Sequence, residues 1–172
     1  MNIKLGAGKI EAYDKDGGIV FGTSADTTNL SAAVDIKSYC PMTYSELQAG
    51  AKLLAHGTYK GLDFYVVSYG THPCAYINAA KTVLAGKDTD ELDDTGIDCH
   101  GGFTFANKAL GVSDGEGWYI GWDYAHAGDF TGWHWRWKAD DGYLKAWTTE
   151  EIIAECVGVI DQIISWQENK NK

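Results

Sequence analysis

The chain has 172 residues, 45% hydrophobic and 22% charged, with a formal net charge of −10. That length and apolar content suit one domain with its own core, and the acidic balance repels phosphate backbones, which argues against nucleic acid as a partner. No run of about 18 apolar residues occurs, so no membrane-spanning helix is expected.

Residues 1–42 read as short strands joined by turns. "KIEAY" alternates around Ile10 and Ala12, "DKDGG" is a turn signal before "IVFG", and "AVDIKSY" places Val34 and Ile36 on one face. Thr43 and Glu46 in "TYSE" form a capping box, and Leu47, Ala51 and Leu54 repeat at helical spacing, so a helix is expected from Thr43 to the His56-Gly57 stop. "LDFYVVSYG" and "CAYINA" are expected as two antiparallel strands joined by the short turn "THP". Residues 81–96 carry five carboxylates and few apolar anchors, which predicts a solvated loop.

After this loop come a short aromatic strand in "IDCHGGFTFA", a glycine-rich link, and a strand opening "WYIGWDYAHAGDF". In that strand Trp118, Ile120 and Trp122 share one face, and Tyr119, Gly121 and Asp123 the other. The last element is a long amphipathic helix. Thr148 and Glu151 cap it, and Ile152, Ile153, Cys156, Val159, Ile160, Ile163 and Ile164 form its apolar stripe. The expected architecture is a single α+β domain over residues 1–172. It is a mostly antiparallel sheet packed against the long C-terminal helix, with a second, shorter helix.

Cys40, Cys74, Cys99 and Cys156 are widely spaced with no Cys-x-x-Cys pair, and the first residues lack the apolar core of a signal peptide. The cysteines are therefore read as reduced thiols and the location as cytosolic.

Two polar clusters stand out. Asp98, Cys99 and His100 precede Gly101-Gly102, while Asp123, His126 and Asp129 lie within seven positions beyond a strand. Asp98 and His100, two apart, would share a face if extended. Histidines converging with carboxylates can hold a metal with open positions, or do acid–base work near neutral pH. The same groups can equally hydrogen-bond one another and pin two turns. Cys99 points away from its neighbour His100 on an extended chain and is read as buried and inert. Gly101-Gly102 lacks the surroundings of a dinucleotide-binding turn.

"GWHWRWKAD" (residues 132–140) differs from the rest of this acidic chain. If extended, Trp133, Trp135 and Trp137 line one face, and His134, Arg136 and Lys138 the other. Such a wall can stack on a base or sugar while arginine grips a phosphate. The plainer account is an amphipathic strand with its tryptophans in the core.

"DFYVVSYGTHPCAYINA", "DELDDTGIDCHGGFTFA", "GWYIGWDYAHAGDF" and "WTTEEIIAECVGVIDQI" resemble, in that order, a family of small phage and prophage proteins. Its members typically show His-x-Cys-Gly-Tyr-Val, His-Gly-Gly-Leu-Thr-Phe, Trp-Trp-Ile-Gly-Phe-Asp-x-Ala-His-Ala-Gly-Asp and a C-terminal helix. The resemblance covers about residues 62–165 and leaves residues 1–42 outside it. The polar positions that match are His72, Asp98, His100, Asp123, His126 and Asp129, while Ala75 stands where glycine is usual, Asn78 follows the Tyr-Val position, and the tryptophan-rich 132–138 stretch also departs from the pattern. The family has no assigned activity, so the resemblance implies provenance and compactness.

That provenance leads to the expectation of a viral accessory protein countering host defence by non-covalent binding of a nucleotide-derived signalling molecule. Trp122, Trp133 or Trp135 would stack on the base and Arg136 and Lys138 would hold phosphate. His72, Asp98, His100, Asp123, His126 and Asp129 would line the site and read its polar groups. No cofactor is required on this reading. Two alternatives stay open: a hydrolase using His100, Asp123, His126 and Asp129, with or without zinc or manganese, and an acidic inhibitor whose loop 87–94 docks on a host defence protein. Assembly into a homo-oligomer also stays open. The site expectation requires loops 98–102 and 123–129 to lie side by side.

Overall fold

In the computed structural model the chain reverses at Lys60-Gly61, both with positive φ (46° and 80°), as a two-residue hairpin turn requires. The turn joins β5 (Ala51–Tyr59) to β6 (Leu62–Tyr69), paired from Tyr59↔Leu62 to Ala51↔Tyr69. The structure describes residues 34–42, 50–132 and 143–170, and the backbone of three strands nearer the start. Those are β1 (Asn2–Gly6), β2 (Lys9–Tyr13) and β3 (Ile19–Thr23). The remaining strands are β4 (Val34–Tyr39), β7 (Pro73–Asn78), β8 (Phe105–Asn107) and β9 (Tyr119–Asp123). They form one nine-stranded sheet in the order β3-β2-β1-β4-β5-β6-β7-β9-β8, and every neighbouring pair is antiparallel.

The long C-terminal helix, α2 (Thr149–Lys170), lies across β5, β6 and β7. Its cap forms as expected: Thr148 Oγ1 accepts from the Glu151 amide (3.2 Å), and Glu151 Oε2 accepts from the Thr148 amide (3.0 Å). The stripe Ile152, Ile153, Cys156, Val159, Ile160 and Ile163 is buried against Val34, Leu54, Phe64, Val66, Ile77, Ile120 and Trp122. Each such isoleucine contributes about 1.5–3 kcal/mol by leaving water. The other sheet face carries a smaller cluster of Tyr65, Val67, Cys74, Tyr76 and Tyr119, over which Leu110 and Val112 pack. Ile120 and Trp122 thus face α2 while Tyr119 faces away, the alternation read from the sequence.

Two expectations need correction. Of the helix expected from Thr43, residues 43–49 lie outside the described residues, and the part from Ala51 onward is strand β5. Pairing register shifts between Leu53 and Ala55. Leu54 and Ala55 are consequently both buried, followed by Gly57 and Tyr59, so strict alternation is broken and the apolar spacing imitates a helix. The short helix lies instead within the acidic stretch expected to be a loop: α1 (Thr89–Asp93), capped by Asp88 and Glu91 in a reciprocal pair. Leu84 and Leu92 are fully buried and anchor that stretch, leaving its carboxylates exposed.

Among the described residues no helix is long and apolar enough to cross a membrane. All four cysteines are free; Cys74, Cys99 and Cys156 are buried and Cys40 is half-buried.

Candidate functional site

At the end of β9 the Asp123 carboxylate turns the chain by accepting from the Ala125 amide (3.1 Å), and it also takes the Thr104 hydroxyl (3.0 Å). The chain then curls so that Asp129 N donates to His126 O (3.0 Å) and Asp129 Oδ2 accepts from the His126 amide (2.9 Å). Next to it runs the 98–102 segment, which turns at His100-Gly101. The two meet through Gly101. Its φ is +70°, and a Cβ there would sit 2.1 Å from Cε1 and 2.2 Å from Nε2 of the His126 ring. Only a residue without a side chain lets that ring lie against the backbone.

Asp129 is the hub. Its side chain is 4% exposed, and Oδ2 lies 2.7 Å from His100 Nε2 while Oδ1 accepts the Trp147 indole N–H at 2.8 Å. Burial pushes its carboxyl up. The hydrogen bonds from His100, Trp147 and the His126 amide outweigh that effect and hold it below the usual carboxylate range. His100 Nε2, facing an ionised carboxylate, is therefore the donor of the pair.

His100 is fixed on its other sides too. Its ring stacks on Tyr124 (4.9 Å between centroids, 8° apart), with Trp147 and His126 edge-on at 4.8 and 5.1 Å. Its amide donates to Glu155 Oε1 (2.6 Å), whose Oε2 takes the Tyr124 hydroxyl (2.7 Å), which in turn accepts the Trp122 indole N–H (3.0 Å). Burial, reinforced by the Glu155 charge, pushes the Tyr124 phenol well up, so it stays a protonated donor. Lys145 closes the rim, 3.7 Å above the Trp147 ring and 3.2 Å from Glu151.

His126 is held differently. Its Nδ1 is buried and, among the described residues, has no hydrogen-bond partner. The nearest carboxylate oxygens, Asp129 Oδ2 and Asp123 Oδ1, stand at 3.7 and 3.9 Å. His100, His126 and Asp129 each offer one ligand atom within 4.8 Å of the others, a spacing that could hold a metal ion.

Beside His100 opens a groove of about 420 Å³ lined by Asp98, Cys99, His100, Glu155, Val159 and Gln162. Gly158 also faces it, with open space where its Cβ would be. Gln162 clasps the backbone of Asp98, donating to its carbonyl and accepting from its amide. Two carboxylates and no lysine or arginine line this groove, so it suits a neutral or cationic group better than a phosphate.

Comparison with family models, with curated proteins and with solved structures gives no match.

The expected residues therefore divide. His100, Asp123, His126 and Asp129 come together, and Asp98 lines the adjoining groove. His72 sits on the β6–β7 turn with Nδ1 2.8 Å from Thr71 Oγ1. Trp122 is corrected: at 1% exposure, against Phe103, it is a core side chain with no face for a ligand. Trp133, Trp135, Arg136 and Lys138 lie outside the described residues. Burial pushes the Cys99 thiol up to about 12, which removes the nucleophile a thiol mechanism needs. Tyr124, Trp147 and Glu155 are the participants that sequence reasoning missed. For Glu155 a signal existed, a carboxylate directly before Cys156 in the stripe of α2.

Proposed function

We propose that this chain is a binding protein of phage type that counters a host defence by sequestering a nucleotide-derived signalling molecule. Its recognition centre is the meeting point of loops 98–102 and 123–129. The observation that carries the reading is the His100 Nε2 to Asp129 Oδ2 contact at 2.7 Å, which joins the two loops through one buried carboxylate. A pre-set group of polar side chains beside aromatic rings is what a small polar ligand needs. Trp133, Trp135, Arg136 and Lys138 follow Gly132 in sequence and precede Lys145. Gly132 N donates to Thr71 O (2.5 Å), and residues 128–130 exchange backbone hydrogen bonds with Lys145.

The experiment is calorimetric titration against cyclic and ADP-ribose-type nucleotides. Binding by one class is expected, and His100→Ala should weaken it about 10-fold or more through loss of a hydrogen-bonding group. An absence of heat across the panel sinks the nucleotide reading.

One observation favours a second, hydrolytic reading. A histidine oriented by a buried carboxylate, as His100 is by Asp129, is the arrangement of a general base. Turnover of any bound nucleotide, abolished by His100→Ala, would decide for it.

A further inference from the structure

We infer that His100, His126 and Asp129 form a binding site for one divalent transition-metal ion of the zinc class. The inference goes beyond the ligand reading and stands whether or not a nucleotide binds.

Three observations converge. The first is the donor set: two imidazoles and one carboxylate, with a ligand atom of each within 4.8 Å of the others. Such a set suits zinc, iron(II) or manganese and leaves at least one coordination position open. The second is His126 Nδ1, buried and without a hydrogen-bond partner among the described residues, 3.7 Å from Asp129 Oδ2. A buried ring nitrogen left in that state is unfavourable, and a cation between it and the carboxylate removes the cost. Two ligands about 2.0–2.1 Å from a tetrahedral ion lie roughly 3.3 Å apart, close to the His126–Asp129 separation.

The third is the support around the ligands. Trp147 Nε1 holds Asp129 Oδ1 at 2.8 Å, which leaves Oδ2 as the ligand atom. Tyr124 stacks on the His100 ring, and Gly101 leaves the His126 ring the space in which it lies. Two adjustments are required: the ring nitrogens of His100 and His126, within 4.8 Å of each other, draw together, and His100 Nε2 parts from Asp129 Oδ2, now 2.7 Å away across a hydrogen bond. The metal takes that proton's place at Nε2 while the ring, by exchange with solvent, carries its proton at Nδ1 and ligates as a neutral imidazole, and the two atoms part by about half an ångström to reach the same tetrahedral spacing.

The test uses the full chain without a histidine tag, stripped with a chelator and titrated with Zn²⁺ against a chromophoric competitor. One ion per chain is expected, and Co²⁺ in its place should give visible d–d bands. Mg²⁺ should give no heat, because nitrogen donors do not suit it. Asp129→Asn and His126→Ala should each weaken Zn²⁺ uptake by more than about 100-fold. Trp147→Phe, which keeps the ring and removes the N–H that holds Asp129, should weaken it about 10-fold. Circular dichroism establishes which variants fold, and His126→Gln replaces His126→Ala if the latter does not. The inference is overturned if wild type takes up no Zn²⁺ at micromolar concentration, or if the folded variants bind it as wild type does. Repeating the nucleotide titration with chelator present separates the two proposals. Zinc uptake without nucleotide binding leaves the metal site and removes the ligand reading, and nucleotide binding by a chain that takes up no zinc does the reverse.

Discussion

At Gly101 the left-handed backbone and the His126 ring both exclude a side chain. Gly101→Ala should therefore cost about 1–3 kcal/mol from the backbone alone, plus the displacement of His126. A lowered urea midpoint, together with weaker Zn²⁺ uptake, is the expected pair of readings. A variant as stable as wild type would mean the ring does not lie where it is described. Asp129 gives a pH dependence. Its carboxyl is depressed in the folded state, so its stabilising contribution is present above the ordinary carboxylate range and is lost as pH falls through the lower folded value. Urea midpoints measured between about pH 7 and pH 3 should fall less steeply for Asp129→Asn than for wild type. Single residues were also where sequence reading was weakest. His100, His126 and Asp129 are legible as types and spacings, but Trp147 and Tyr124 join them only through a fold that brings residues 100, 124, 129 and 147 together.

Among the elements, α2 was the most legible, because one apolar stripe and one capping box agree over its whole length. Truncating the stripe at Ile160, fully buried, should cost about 2–5 kcal/mol. Thr148→Ala should cost about 1 kcal/mol by freeing the Glu151 amide. Chemical denaturation ranks the two, and the reverse order would contradict the packing described. β5 was the least legible. Its register shift puts Leu54 beside Ala55 in the core, and period-two reading depends on an unbroken pleat. In α1 the carboxylates dominate the composition, yet Leu92 alone is enough to seat a single turn and a half of helix.

Over the whole molecule the α+β class follows from a sheet that needs cover on both faces. The helix supplies one cover and the chain around Leu110 the other. Strand order was not legible, since β9 lies between β7 and β8 and reaches them through turns whose partners are distant in sequence. The burial of Cys74, Cys99 and Cys156 predicts that a disulfide-exchange reagent such as DTNB titrates one thiol quickly in the native protein and all four in denaturant. Burial pushes Cys74 and Cys99 up to about 12, which slows them further. Rapid native reaction of two or more would mean that the core opens on the timescale of the assay.

Cys40 follows β4, and its carbonyl accepts the hydroxyl of Thr149, where α2 begins. A fluorophore coupled to that sulfur would sit at the seam between sheet and helix without any engineered mutation. Its emission would report undocking of the helix in a chain otherwise left as nature wrote it.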